Sequence, residues 1–136
     1  MYYEVTTKVV RTQVDGMNKE VTERYLADCE TFTEAEKMGA ETYADYSLDG
    51  DVVALKRSNI KEIVNEDENK EHYFKATIID TYTYGSGKEK ELRYYVLIRA
   101  NDLSEATAKA NEYMRQGLED MRLDGIVKTK ILELLK

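Results

Sequence analysis

Apolar and polar residues alternate along two long stretches of the chain, and each stretch reverses at a glycine turn. The stretches cover residues 2–30 and 73–100 and are rich in Val, Thr and Tyr. Alternation with a period of two on both sides of a turn predicts a β-hairpin in each stretch. Gly16 and Gly87 occupy the two turns, where we expect them to adopt positive φ.

A helix is predicted after each hairpin. Thr31-Phe32-Thr33-Glu34 and Asp102-Leu103-Ser104-Glu105 both have the form of a capping box, and apolar residues then recur every three or four positions. A last strand is predicted after each helix, from Val52 to Ile63 and from Ile126 to Leu135. The order of elements is therefore β-β-α-β, twice.

The chain aligns with itself at an offset of 71 positions, which places residues 2–64 on 73–135 without a gap. Identical residues recur at positions that structure constrains, such as Leu26 and Leu97. We therefore predict an α+β fold made by tandem duplication of a β-β-α-β unit, with a mostly antiparallel sheet, two helices packed on it and pseudo-twofold symmetry. Residues 1–136 are expected to form one domain, its two repeats joined by an acidic linker at 65–72.

Composition narrows the possible partners. The chain has 136 residues, a net charge of −7, one cysteine and one histidine. The negative charge argues against duplex DNA and against anionic membranes. The first residues do not resemble a signal peptide, and no apolar run is long enough to span a membrane, so we expect a soluble, cytoplasmic protein. Residues 1–71 carry −8 and residues 72–136 carry +1, so the second half is the better place to seek a ligand.

Apolar residues also recur on the sheet face that the helices do not cover. They include Leu26, Ile79 and Leu97. An apolar residue repeated on a face expected to be exposed to solvent indicates that the face is partly covered, by the other repeat, by a second chain or by a ligand. We therefore predict these three residues as interface residues toward another protein or a second copy.

Arginines frame an aromatic residue on the same face. Arg93, Tyr95 and Arg99 alternate along one strand, an arrangement that can stack and neutralise a nucleotide or a single-stranded nucleic acid. The alternative is an arginine-framed packing face. Lys56 and Arg57 form a second candidate anion site, although a basic pair on a strand also protects a solvated edge.

Catalysis has little support in the sequence. His72 lies beside the linker and Cys29 aligns with Ala100, which predicts a small buried core residue for the thiol. One histidine and one cysteine do not make a metal centre without carboxylates. We predict no catalytic residue, no metal and no cofactor.

The chain resembles a family of Bacteroidota and their phages, the domain of unknown function numbered 4494. The resemblance rests on the paired aromatics Tyr2-Tyr3 and Tyr73-Phe74, on the helix starts at Thr31 and Asp102, and on the stretch from Leu55 to Ile63. It implies a bacterial or phage protein and no known activity.

The expected function is therefore a small non-enzymatic binding protein of mobile-element or phage type. A nucleotide or single-stranded nucleic-acid binder using the arginine and tyrosine face is the first alternative, and an enzyme of unknown class is the second.

Overall fold

The computed structural model describes residues 1–44, 49–64, 70–117 and 120–136. It contains eight strands and two helices within these ranges. In chain order they are β1 (Tyr2–Thr12), β2 (Asn18–Asp28), α1 (Phe32–Glu41), β3 (Gly50–Arg57), β4 (Ile60–Val64), β5 (His72–Tyr84), β6 (Lys88–Ala100), α2 (Leu103–Arg115), β7 (Asp120–Lys128) and β8 (Ile131–Leu135). Much of the predicted linker, residues 65–69, lies outside the described residues.

The two predicted hairpins and their turns are confirmed. β1 pairs with β2 and β5 pairs with β6, both antiparallel. Gly16 has φ of 82° and Gly87 has φ of 89°, so both glycines adopt the left-handed conformation that a turn of this kind requires.

Both predicted helix starts are confirmed, with one difference in the cap. The amide of Glu34 donates to Thr31 Oγ1 at 3.1 Å, and the amide of Glu105 donates to an Asp102 carboxylate oxygen at 2.8 Å. The glutamates reach back to the amide one residue before the cap rather than to the cap itself. Two otherwise unpaired donors are still satisfied at each helix start.

The predicted single sheet carrying both helices is wrong, because the strands form two separate four-stranded sheets. The orders are β3-β1-β2-β8 and β4-β6-β5-β7. The β2·β8 and β4·β6 pairs are parallel, and the other pairs are antiparallel. α1 packs on the first sheet and α2 on the second.

The predicted last strand of each repeat is also wrong, because each is two strands separated by a short break. The breaks fall at Ser58-Asn59 and at Thr129-Lys130, which are equivalent positions at the offset of 71. The amides at the two breaks donate to Tyr2 and Tyr73 carbonyls, each at 2.8 Å. After the break the chain leaves its own sheet, so β4 joins the second sheet and β8 joins the first.

This exchange divides the chain into two compact units. Unit 1 comprises residues 1–58 and 130–136, and unit 2 comprises residues 59–129. The core of unit 1 lies between α1 and its sheet and includes Val5, Tyr25 and Ala35. In unit 2 the corresponding core includes Ile78, Val96 and Ala106. Each core therefore uses the alternate strand residues that face the helix.

A glycine sets the spacing between helix and sheet in unit 1. A Cβ placed on Gly39 would lie 2.5 Å from Val5 Cγ1, which leaves no room for a larger residue. Unit 2 has Ala110 at the corresponding position, fully buried. The small residues on α1 thus allow the helix to approach the sheet closely.

Candidate functional site

The residues predicted as an interface are almost completely buried in the chain. Leu26 and Leu97 are 0% exposed and Ile79 is 2% exposed. They lie on the strand face opposite the helix-side cores described above. They are therefore not part of an exposed docking surface on the chain as it stands.

The Arg93, Tyr95 and Arg99 side chains do fall on one face of β6, as the strand alternation requires. Each has a contact within unit 2. Arg93 lies 3.6 Å from the Asp124 carboxylate, and both groups are about half exposed. The Lys75 ammonium lies 4.5 Å from the centre of the Tyr95 ring, where an approaching base would stack.

Arg99 is tied more firmly than Arg93. Its Nε donates to the Lys70 carbonyl at 2.8 Å, and its guanidinium donates to the Tyr73 hydroxyl at 3.2 Å. The guanidinium also lies 4.9 Å from the centre of the Tyr73 ring. The contact with the buried Tyr73 holds the guanidinium against β5, and the hydrogen bond to Lys70 fastens the segment before β5 to the sheet. The geometry thus gives Arg99 a structural role.

Lys56 and Arg57 lie in unit 1, at the end of the edge strand β3, and both are exposed. Arg57 pairs with Tyr3 and Lys56 with Glu4 in the backbone register. A β-bulge at Val53 interrupts the pairing of this edge strand. Bulges of this kind commonly protect an edge strand from pairing with another molecule. The pair is accessible to an anion, but the same edge also fits the protective interpretation.

The candidate nucleophile and base belong to different units. Cys29 is buried in unit 1, as the sequence predicts, and its thiol donates to the Thr31 carbonyl at 3.5 Å. Burial raises the pKa of this thiol, which disfavours the reactive thiolate. His72 begins β5 in unit 2 and lies 3.6 Å from the Glu71 carboxylate. Over the described ranges, no cluster of histidine, cysteine and carboxylate side chains has the composition of a metal site.

A feature that the sequence reasoning missed lies at the turn end of the β5–β6 hairpin. Cross-strand pairing sets Tyr82 opposite Lys90 and Tyr84 opposite Lys88. These four residues and Leu92 point to the helix side of the sheet but lie toward its open end, and we call them the tip patch. Glu89 and Glu91 alternate onto the other face, so the tip patch carries positive charge only.

The tip patch is partly apolar and accessible. Tyr84 is 49% exposed and Leu92 is 48% exposed, and the Tyr82 and Tyr84 ring centres lie 6.3 Å apart. No ion pair involves either lysine within the described ranges. Strand alternation in the sequence could have revealed this patch, because Tyr82 and Tyr84 share the face of the core residues.

Asp80 lies at the base of the tip patch, directly opposite Leu92 on β6. Its side chain is 7% exposed, and one carboxylate oxygen has no hydrogen-bond partner among the described residues. Val9 occupies the corresponding place in unit 1 and is 1% exposed. A buried acceptor without a partner is costly, so this position is not optimised for stability alone.

Comparison with known proteins gives one match. A family model described as a domain of unknown function (DUF4494) matches residues 1–136, the whole chain. No curated protein and no solved structure matches the chain significantly. Within the described ranges, neither helix is long and apolar enough to cross a membrane.

Proposed function

The chain belongs to the DUF4494 family, and we propose that this member is a small non-enzymatic protein that binds another protein. The single observation that supports this function most is the tip patch, where two tyrosines, a leucine and two lysines share one exposed face of a hairpin end. Neither lysine has an ion-pair partner in the part of the chain that the structure describes. Tyrosine is favoured at protein interfaces because it offers apolar area and a hydrogen-bonding group at little entropic cost.

The chemistry of the patch defines the partner. Lys88 and Lys90 flank the apolar centre, so the complementary surface has an apolar core with carboxylates at its rim. On the basis of the family resemblance alone, we propose that the protein is of the bacterial mobile-element or phage type.

Affinity capture with mass spectrometry, with and without nuclease, tests this function. A specific partner should be captured by the parent chain and lost with Lys88→Glu/Lys90→Glu. Lys19→Glu is the matched control, because Lys19 occupies the position in unit 1 that Lys90 occupies in unit 2. Capture that is unchanged by the double substitution, or lost equally in the control, would contradict the proposed surface. Capture that disappears with nuclease would instead favour nucleic acid.

Lys56 and Arg57 support a second candidate, the binding of a nucleotide or a single-stranded nucleic acid. Both side chains are exposed at consecutive positions of the edge strand β3, and within the described part of the chain no ion pair involves either one. Fluorescence anisotropy with a labelled oligothymidylate measures this directly. The candidate requires affinity that falls with salt and with Lys56→Glu/Arg57→Glu, and it is lost if the double substitution has no effect.

We also infer that a tandem duplication of one β-β-α-β-β unit produced this chain. Support comes from the two sheets, which have equivalent strand orders and equivalent hairpin registers at the offset of 71. The bulges opposite β1 and β5 also fall at equivalent residues, Val53 and Asp124. Such agreement in irregular features is more specific than agreement in regular strands.

A further inference from the structure

Unit 1 contains an open cavity of about 330 Å³ between the end of α1 and the exchanged strand β8. Residues from α1 and β8, which are far apart in sequence, form opposite walls of this cavity. The lining residues are Tyr25, Met38, Glu41, Thr42, Glu133, Leu134, Leu135 and Lys136. The volume lies at the lower end of the range, roughly 300–1,000 Å³, in which proteins bind small molecules.

Unit 2 shows what fills the corresponding space. Tyr113 on α2 corresponds to Thr42, and Glu62 on β4 corresponds to Glu133. The Tyr113 hydroxyl donates to a Glu62 carboxylate oxygen at 2.7 Å. The cavity that remains beside Tyr113 is about 200 Å³, and it is lined in part by Val64 and Lys109. In unit 2, therefore, a phenol ring whose hydroxyl donates to a glutamate occupies this position.

The phenol of Tyr113 is held in its protonated form. Burial and the hydrogen bond to Glu62 raise its pKa, so the hydroxyl remains a donor throughout the physiological range. Glu133 has the same position on its strand, and no hydrogen bond or ion pair occupies its carboxylate within the described residues. Unit 1 thus keeps the acceptor and has Thr42 in place of Tyr113. Tyr25, at the position of Val96 in unit 2, also lines the cavity and is paired with Glu133 in the backbone register.

We propose that the cavity of unit 1 binds a small neutral phenol, with the ring between α1 and β8 and the hydroxyl donating to Glu133. Met38 and Leu135 supply apolar walls, and a methionine sulfur interacts favourably with an aromatic ring. The charged side chains that line the space are Glu41, Glu133 and Lys136, so two carboxylates face one ammonium and the site disfavours a carboxylate or phosphate ligand. This site is separate from the tip patch and does not depend on the proposed protein partner.

Titration with p-cresol, followed by amide chemical shifts, tests the assignment, because p-cresol is the tyrosine side chain without its backbone. We expect saturable shifts at Thr42 and along Glu133–Leu135. Toluene, which lacks the hydroxyl, should bind at least about fivefold more weakly. Glu133→Gln should weaken p-cresol binding about tenfold, because a neutral amide oxygen replaces a charged acceptor. Equal affinity for toluene and p-cresol would overturn the role of Glu133.

Two reciprocal substitutions test the internal comparison. Thr42→Tyr should place a ring in the cavity and abolish the p-cresol shifts in unit 1. Tyr113→Thr should open a second site, with new saturable shifts at Val64 and Lys109. Because either variant alone supports the assignment, a folding defect in one does not prevent the test.

Three further results would overturn the proposal. They are the absence of saturable shifts in the parent up to the solubility limit of p-cresol, unchanged binding in Thr42→Tyr, and no second site in a folded Tyr113→Thr variant. N-acetyltyrosinamide distinguishes a small phenol from a tyrosine in a peptide. If it binds at least about tenfold more tightly than p-cresol, the ligand is a peptide side chain and a small phenol is wrong.

Discussion

Units 1 and 2 have the same strand arrangement and differ in the side chains at equivalent positions. Their strand orders and hairpin registers are equivalent. At the end of the helix, unit 2 is filled by Tyr113 and unit 1 is open at Thr42. The same arrangement of strands thus carries a filled position in unit 2 and a cavity in unit 1. The residues around that position differ too, since Tyr25 and Met38 of unit 1 correspond to Val96 and Lys109 of unit 2.

The start of the helix shows the opposite distribution. In unit 1 the Tyr3 and Phe32 rings meet edge to face with centres 4.8 Å apart. In unit 2 the corresponding residues, Phe74 and Leu103, line a cavity of about 340 Å³. An aromatic ring therefore fills one end of the helix in each unit, and it is a different end in each.

The largest expected effect comes from exchanging the buried residues Val9 and Asp80. Val9→Asp buries an unpaired carboxylate in unit 1 and should lower the free energy of unfolding by at least about 3 kcal/mol. Urea denaturation followed by circular dichroism measures the loss.

The reverse substitution should have the opposite sign. Asp80→Val removes a buried acceptor without a partner and should raise the free energy of unfolding by about 1–3 kcal/mol. Destabilisation by Asp80→Val would show that the carboxylate has a stabilising partner, which would contradict the cost assigned to this buried acceptor.

An intermediate effect tests the strand exchange itself. Leu135 packs against the core of unit 1 and Val64 against the core of unit 2. Leu135→Ala should cost about 1–3 kcal/mol and accelerate amide hydrogen exchange in β2, the strand beside β8. Val64→Ala should instead accelerate exchange in β6.

The matched pair provides its own control. If Leu135→Ala accelerated exchange in β6 and left β2 protected, β8 would belong to the sheet of its own half, and the exchange would be wrong.

The smallest expected effect concerns acid stability at the start of α2. Hydrogen bonding to Lys70, the largest cause, lowers the pKa of Glu105 to about 2 from an ordinary value of 4.5. Because the folded state favours the ionised carboxylate, its contribution is fully present above about pH 4.5 and is lost as the pH falls toward 2.

Lys70→Gln should therefore reduce the loss of stability between these two pH values, as measured by urea denaturation at each pH. In unit 1, Met38 stands at the position of Lys109, so the capping Glu34 lacks the corresponding lysine. Lys37→Gln, which removes a lysine from the helix of unit 1, therefore serves as the control. An identical pH dependence for the parent and Lys70→Gln would remove Lys70 as the cause.

Local signals in the sequence were sufficient for the hairpins, the helices and their caps. A glycine turn such as Gly16 and a capping threonine such as Thr31 act within a few residues, so their effect does not depend on distant strands. The repeated Leu26 and Leu97 also indicated a covered face, and both residues are buried.

The strand exchange depends on contacts that the sequence does not display. Neither Ser58-Asn59 nor Thr129-Lys130 contains glycine or proline, and the strand that β8 joins, β2, lies about a hundred residues earlier. The cavity of unit 1 exists only because β8 crosses to it, so Thr42 and Glu133 gave no sign of forming one site. The tip patch, by contrast, follows from strand alternation and could have been predicted.

The free energies of unfolding of Thr42→Tyr and Tyr113→Thr test most directly the claim that the two units differ by filling one shared position. We expect Thr42→Tyr to raise the free energy of unfolding by about 0.5–2 kcal/mol, as cavity filling commonly does. We expect Tyr113→Thr to lower it by about 1–3 kcal/mol, because a packed ring and its bond to Glu62 are lost. Destabilisation by both substitutions would contradict the claim, since the cavity of unit 1 would then not accept the ring that unit 2 holds.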